Sequence, residues 1–475
     1  MTDVQAQAPA TGTSTDRRWA ALGVLAIVQF LIIIDNTVVN VALPSVRRDL
    51  GFSADGLAWV VNGYLLTAGG LLLLGGRLAD MRGRVRMFCV GTALFGVASL
   101  ACGLAPTAET LVAGRFAQGV GEALASPAAL SLIAAIFRDE RERGKALGLW
   151  GGLAGLGAVT GVLLSGVLTD LASWRWNFLI NVPFAVAALV LLPRLVRESR
   201  PAHRPARTDL LGAVLVTAAM VSVIYGALGA SRHGWTDLLV LGPIGAGLAL
   251  LGAFVAVETV SKEPLVPLRF FTNRTRVAAN LASLFMMGNL AAVFLLLTLY
   301  MQNVLGYSAL RTGVAYLPFC VAFVAAIGIT MPIAARVGPK ITLIGAFTFG
   351  AAGMAMLATA DLAGPYRSGL LPALLVLACG FGAGFPALQA TALHALPESD
   401  MGLGSGVQTS VQSLANALGV AVFLTLALRH GAGGGPPQAT GDGYQYAFGI
   451  GVVTMLIGGA VIIALMPRLR TGSAA

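Results

Sequence analysis

The run Phe30-Leu31-Ile32-Ile33-Ile34-Asp35-Asn36-Thr37-Val38-Val39-Asn40-Val41-Ala42-Leu43-Pro44 decides how the rest of the chain is read. It closes an apolar stretch over residues 19–44, and about 20 apolar residues suffice to cross a bilayer as a helix. A carboxyl inside such a stretch is costly to charge, so it marks either a transport path or a helix contact made through hydrogen bonds. Composition names the same solvent. Hydrophobic residues make up 57% of the chain and charged residues 11%, where a soluble domain carries about a quarter charged.

Working outward from residue 35, fourteen apolar runs of spanning length follow, near 19–44, 56–76, 86–104, 109–136, 144–170, 177–195, 208–229, 236–259, 275–305, 309–335, 339–360, 367–395, 402–428 and 444–467. An all-α polytopic membrane protein is therefore expected. The opening residues Met1 to Asp16 lack a basic start, so the first span is expected to stay as an anchor rather than be cleaved. Basic residues set the orientation: 23 of the 31 Lys and Arg fall in the loops that share a side with both termini, 7 fall in the alternate loops, and Arg115 lies within a span. That asymmetry predicts cytoplasmic termini in a cell membrane protein. The net charge of +10 is then mostly an inner-surface feature facing anionic headgroups, and no nucleic-acid partner is implied. Cys89, Cys102, Cys320 and Cys379 all lie within apolar spans without C-x-x-C spacing, so packing is expected of them, not a disulfide or a metal site. No cofactor is called for. HExxH, clustered His, G-x-S-x-G and phosphate-loop patterns are missing, and no soluble segment approaches domain size, which leaves a membrane enzyme or sensor as a remote reading.

The chain repeats itself. Gly76-Arg77-Leu78-Ala79-Asp80-Met81-Arg82-Gly83-Arg84 follows span 2, and Ile333-Ala334-Ala335-Arg336-Val337-Gly338-Pro339-Lys340 follows span 10, with Gly83 matching Gly338 at an offset of 255. Gly119-Val120-Gly121 in span 4 matches Gly380-Phe381-Gly382 in span 12 at an offset of 261. Both offsets step by eight spans where two six-helix halves would step by six, so spans 7 and 8 read as an insertion between parallel repeats.

Inside the spans, Arg115 in span 4 falls at a depth close to that of Asp35, about 9 Å against about 13 Å from the same membrane face, and the two can meet. An Arg beside the Asp would hold it ionised until substrate or conformation separates them, although a buried ion pair can also serve only to fix helix register. Glu122 lies two turns beyond Arg115 on a similar side of the helix, about 10 Å deeper. It reads equally as a second titrating or cation-facing acid and as a locally paired one. Asn62 in span 2 and Gln408, Gln412 and Asn416 at i, i+4 and i+8 in span 13 form polar positions expected to face the bundle interior, where substrate contact and helix–helix hydrogen bonding explain them alike.

These motifs together resemble the major facilitator superfamily, in its fourteen-helix drug:proton antiporter branch, over about Trp19 to Arg468. The Asp35 to Pro44 run resembles the branch's first-helix signature, whose Asp is its proton-carrier candidate. Arg115-Phe116-Ala117-Gln118-Gly119-Val120-Gly121 resembles the motif that supplies a fixed positive charge. The loop with Gly76, Asp80, Gly83 and Arg84 resembles the gating motif G-x-L-A-D-R-x-G-R-K, with Met81 where a basic residue is usual, and Asp80 is implied to pair with a neighbouring helix only in the outward-open state. Ser173 to Pro183 is also similar to the branch. Span 5 departs: Gly157, Gly161 and Gly166 are present, but Val162 and Ser165 stand where the antiporter pattern has Pro and Gly, which puts the export direction in question.

The resemblance implies a cytoplasmic tail over 1–18, a six-helix bundle over 19–200, inserted helices 7 and 8 over 201–262, a second six-helix bundle over 263–470 and a tail over 471–475. The function implied is proton-coupled efflux of amphipathic drugs or antibiotics by alternating access, without catalysis. Proton-coupled uptake of an organic nutrient is the alternative on the same fold. Proton coupling is assigned to Asp35, Arg115 and Glu122, and the substrate cavity to Asn36, Asn62, Tyr64, Gln118, Met286, Phe294, Gln408 and Gln412. Expected partners are a small-molecule substrate, protons and lipid, and a monomer is the family expectation.

Overall fold

The computed structural model describes residues 15–137, 139–196, 198, 210–261, 264, 266, 268–360, 366–396, 401–430 and 441–467. Most of the two tails expected at 1–18 and 471–475 lies outside the described residues. Within them all regular structure is helical. The N-terminal half comprises α1 (Thr15–Leu50), α2 (Ala54–Arg82), α3 (Arg84–Gly103), α4 (Ala108–Ile136), α5 (Glu140–Leu171) and a crossing split into α6 (Trp176–Leu179) and α7 (Asn181–Leu195). The split at Ile180 follows from Pro183, which has no N–H for the Leu179 carbonyl. Side chains cap the helix starts: Ser53 accepts from the Gly56 N–H, Thr107 from Thr110 and Asp139 from Glu142.

Next come α8 (Leu210–His233) and α9 (Leu238–Val260), then a 3₁₀ turn at Leu268–Thr272. The C-terminal half is α10 (Arg274–Asn303), α11 (Ala309–Val337), α12 (Pro339–Thr359), α13 (Leu370–Ala392), α14 (Met401–His430) and α15 (Gly441–Leu465). Counting α6 with α7, these are fourteen helical segments, equal in number to the apolar runs of the sequence. Eleven described segments are long and apolar enough to cross a membrane by length and composition alone, and α2 and α8 hold shorter apolar stretches at Trp59–Leu72 and Leu211–Ala227.

Each half closes around its own core. In the first, Val60, Tyr64, Phe88, Phe95, Leu132, Phe137 and Phe178 are buried together. In the second, Tyr300, Tyr316, Phe347, Phe381 and Phe448 play that part. The repeat persists at the level of backbone geometry. Gly83 turns α2 into α3 at φ 108° and Gly338 turns α11 into α12 at φ 83°, conformations open to glycine and strained for other residues. Gly121 lets α4 lie on the α3 backbone at Gly91 and Phe95, and Gly380 lets α13 lie on the α12 backbone at Ala346 and Gly350.

The α8–α9 pair, expected as an insertion, lies at the seam where α2 meets α14. Thr217 of α8 donates to the Gly70 carbonyl at 2.5 Å, and Tyr225 lies 6.1 Å from the Trp59 ring. Helix α9 packs on α8 through Gly247 against Val223 and Ala219, and its remaining faces are exposed.

The two halves are tied at the end away from Thr15 and Leu465. The Leu310 N–H donates to Asp170 at 2.9 Å, Gln302 donates to the Val41 carbonyl at 2.9 Å, and Gly166 lies against Ala309 and Leu310. At the opposite end Arg18 pairs with Glu142 at 3.2 Å inside the first half, and Lys340 donates to the Ile463 carbonyl at 2.8 Å inside the second. The glycines of span 5 thus serve packing, and the departing Ser165 has a function of its own: its hydroxyl donates to the Val38 carbonyl at 2.7 Å and accepts from Asn177 at 3.3 Å.

Candidate functional site

Asp35 is 0% exposed and Arg115 1% exposed, and they form a direct ion pair. The pair is expensive to bury unless further hydrogen bonds support it, and the surrounding helices supply several. Asp35 Oδ2 accepts from Arg115, and Oδ1 accepts from Gln118 Nε2 at 3.1 Å and from Asn181 Nδ2 at 3.0 Å. Arg115 Nε donates to the Val60 carbonyl at 2.8 Å, and Nη1 also reaches Gln118 Oε1 at 2.8 Å. Ser99 accepts from Gln118 at 2.8 Å and from Asn181 at 3.3 Å. The guanidinium lies 4.2 Å from the centre of the Tyr64 ring and 5.8 Å from that of Phe178. One acid on α1 is therefore held directly by α4 and α7, with Ser99 of α3 bracing both amides.

Around this sealed pair the other residues sort themselves. Asn36 donates to the Tyr64 hydroxyl at 3.3 Å and to the Ile32 carbonyl at 3.2 Å. Glu122 lies partly exposed beside Tyr64, and its Oε2 is buried without a hydrogen-bond partner. Further along the same seam Ser126 of α4 donates to Gln29 of α1 at 3.0 Å. Six of the residues expected from sequence, Asp35, Asn36, Tyr64, Arg115, Gln118 and Glu122, thus form one cluster within the first half. Tyr64 and Gln118 serve the ion pair rather than an open wall.

The rest stand apart. Asn62 is fully buried, and neither of its amide atoms has a partner. Gln408 donates to Ser283 at 3.0 Å within the second half, while Gln412 is half-buried with its Nε2 unpartnered. Met286 is in the core of the second half, against Gly384. Phe294 is half-buried in an aromatic cluster, 5.2 Å from Tyr316 and 5.3 Å from Phe319. Ser99 and Asn181 are the members the sequence reading missed. Asn181 had a signal, an amide inside an apolar run within a recognised motif; Ser99 had none. Among the described residues no three His, Cys, Asp or Glu side chains gather into a metal-binding group.

The sequence model described as Major Facilitator Superfamily matches residues 25–420. The chain belongs to the major facilitator superfamily. Similar curated proteins from this superfamily member's neighbourhood include the puromycin resistance protein of Streptomyces alboniger, 38% identical with 96% of this chain and 93% of that protein covered, and the lincomycin resistance protein of Streptomyces lincolnensis, 38% identical with 95% and 92% covered. The cephamycin export protein of Amycolatopsis lactamdurans is 36% identical over 99% of this chain and 97% of its own length. Among solved structures, a peptide transporter in complex with sulfate aligns with a TM-score of 0.69 at 15% identity, covering 94% of each chain, and the human organic anion transporter MFSD10 with 0.62 at 16% identity, covering 94% and 99%. At such identity the structures speak to the fold alone.

In this major facilitator protein the expected gating loop is clamped from the end of the sixth crossing. Glu198 accepts from the N–H groups of Val85 and Arg86, each at 3.0 Å, at the start of α3, where a carboxylate also meets the positive end of the helix dipole. Gly83 lies directly under that carboxylate. Arg84 donates to the Ser131 carbonyl at 3.3 Å, joining the loop to α4. Gly76 sits against Pro127 of α4, and the Asp80 side chain lies outside the described set.

Proposed function

We propose that this protein exports amphipathic small molecules, antibiotics among them, across the cell membrane in exchange for protons. The observation that carries the reading is the sealed Asp35–Arg115 pair: a carboxyl paired with one cation, and otherwise enclosed by neutral donors, is open to a proton when the cation withdraws. Export as the direction draws on the resistance and export proteins it is similar to, and on helices α10 to α14, which carry no Asp or Glu that could select a polar nutrient.

With both termini in the cytoplasm, the orientation that the loop charges favour, the ties at Leu310–Asp170 and Gln302–Val41 close the outer side in this conformation. The units that rock are 19–200 and 263–470, with 201–262 riding on the α2–α14 seam, and a monomer contains both units and the acid. One proton per cycle passes through Asp35. Moving one charge down a membrane potential supplies about 2.3 kcal/mol per 100 mV, more than the ~1.4 kcal/mol needed for a tenfold gradient. Asn36, Asn62, Gln412 and Phe294 are the positions assigned to substrate.

The test is a pH-sensitive dye in inverted vesicles challenged with a panel that includes puromycin and lincomycin. Substrate-evoked proton movement that vanishes in Asp35→Asn supports the reading. Substrate flux with no proton movement would sink it.

A further inference from the structure

Glu122 is the half-buried acid that the ion pair does not use. Both Asp35 oxygens are partnered, whereas Glu122 Oε2 is buried with no partner. Arg115 and Glu122 are separated by two helical turns on the same helix, about 10 Å along one face. Tyr64 from α2 lies beside both: its ring is under the Arg115 guanidinium at 4.2 Å, and the same side chain neighbours Glu122. The guanidinium therefore has two carboxylates within the combined reach of two long side chains, one engaged and one open, with an aromatic face between them.

We propose that Glu122 is a second station for Arg115: when Asp35 takes up a proton, the guanidinium crosses the Tyr64 ring and pairs with Glu122. An ion pair between α1 and α4 would thereby become one internal to α4, and the two helices would be released from each other. A buried cation left without a counter-charge is strongly unfavourable, and a guanidinium in passage is stabilised by an aromatic face. The proton comes from water and binds one Asp35 oxygen; Arg115 keeps its own protons throughout. The groups that face Arg115 are Asp35 on α1, Tyr64 on α2, Cys102 on α3 through Gln118, and Glu122 on α4, while α6 and α7 bring Phe178 and Asn181, which carry no charge. Helix α5 between 146 and 169 and helix α14 before Arg429 carry no acid or base. The proposal rests on Asp35 as the proton carrier.

Two measurements on the full chain test it. In proteoliposomes, Glu122→Gln strands Arg115 whenever Asp35 is neutral, so the pH of half-maximal gradient-driven efflux falls by about one unit, a tenfold change in proton concentration. The same substitution made on Arg115→Gln produces no further fall. An equal fall in both backgrounds would mean plain repulsion between the two acids and overturns the exchange, as does no fall with Arg115 present. The second measurement needs no transport and decides the matter where Arg115→Gln is inactive. In thermal unfolding, Glu122→Gln lowers the midpoint more in Asp35→Asn protein, whose first station is permanently neutral, than in the unaltered chain; equal losses overturn the proposal. Because this cycle reads charge pairing alone, success alongside full gradient-driven efflux by Asp35→Asn would fault the proton-carrier assignment and leave the exchange standing.

Discussion

Asp35 in the first half and Asn289 in the second stand at matching places in the repeat: the offset of 255 from Gly83 to Gly338 carries Asp35, to within one residue, onto Asn289. The offset of 261 that relates the span 4 and span 12 glycines carries Arg115 onto Val376. Both positions on the first helix of the half are buried, and both make the same kind of link. Asp35 ties α1 to α7 through Asn181, and Asn289 ties α10 to α15 through Thr454 at 2.8 Å, repeat-related helices in each case. The scaffold therefore asks for a polar tie here, and an amide is enough to make it. What the first half adds is charge, together with the arginine that makes charge tolerable. The second half makes its tie without that addition, and this contrast is the ground on which Asp35 is proposed as the functional acid.

The largest expected effect of breaking this asymmetry comes from Arg115→Ala. It leaves Asp35 buried without its cation, which costs about 3–5 kcal/mol when the acid stays ionised. Neutralising the acid by protonation relieves the loss, so the variant should be least stable at high pH and recover as pH falls. The pH optimum of transport should move upward, because protonation of Asp35 no longer has to displace a cation. Thermal unfolding across pH, beside transport profiles, checks both signs, and Arg115→Lys should recover part of each.

Asn289→Asp probes the other half. Without an arginine at Val376 the new acid is an unpaired buried charge, and the expected loss is a few kcal/mol above neutral pH, shrinking in acid. Combined with Asp35→Asn it should not restore proton-driven efflux. A restored activity would show that position alone, not the Arg115 setting, makes the carrier.

Sequence reached the main lines of this comparison because each rests on a sharp physical signal. A bilayer penalises charge strongly enough that Asp35 and Arg115 are visible in their apolar runs, and a turn with positive φ demands glycine, which made Gly83 and Gly338 legible as a pair. What stayed hidden depends on which way an apolar helix faces. Lipid and protein interior are equally apolar, so periodicity does not separate the two sides of α10; Met286 was expected in a cavity and lies in the core against Gly384. Asn181 reaches Asp35 from far along the sequence and Ser99 braces Asn181 and Gln118 behind it, and no local pattern ties either to the acid. Gln118 was expected to touch substrate and instead satisfies both members of the ion pair.

A smaller effect sharpens the contact between crossings of the first half. Ser165→Ala removes the hydroxyl that bonds the Val38 carbonyl and the Asn177 amide, a loss of about 1 kcal/mol for the hydrogen bonds. Transport should continue, with the thermal midpoint slightly lowered. Ser165→Gly, which restores the glycine of the antiporter pattern, should behave alike.

The central claim, that Asp35 carries the coupling proton, is tested most directly by Asp35→Asn protein in proteoliposomes under an imposed pH gradient, with substrate exchange measured in the same vesicles without a gradient. Asparagine keeps the shape and, as Asn289 shows, suits this kind of site, so substrate exchange should persist. Gradient-driven accumulation should fall to background. Accumulation that remains at the level of the unaltered protein would contradict the account.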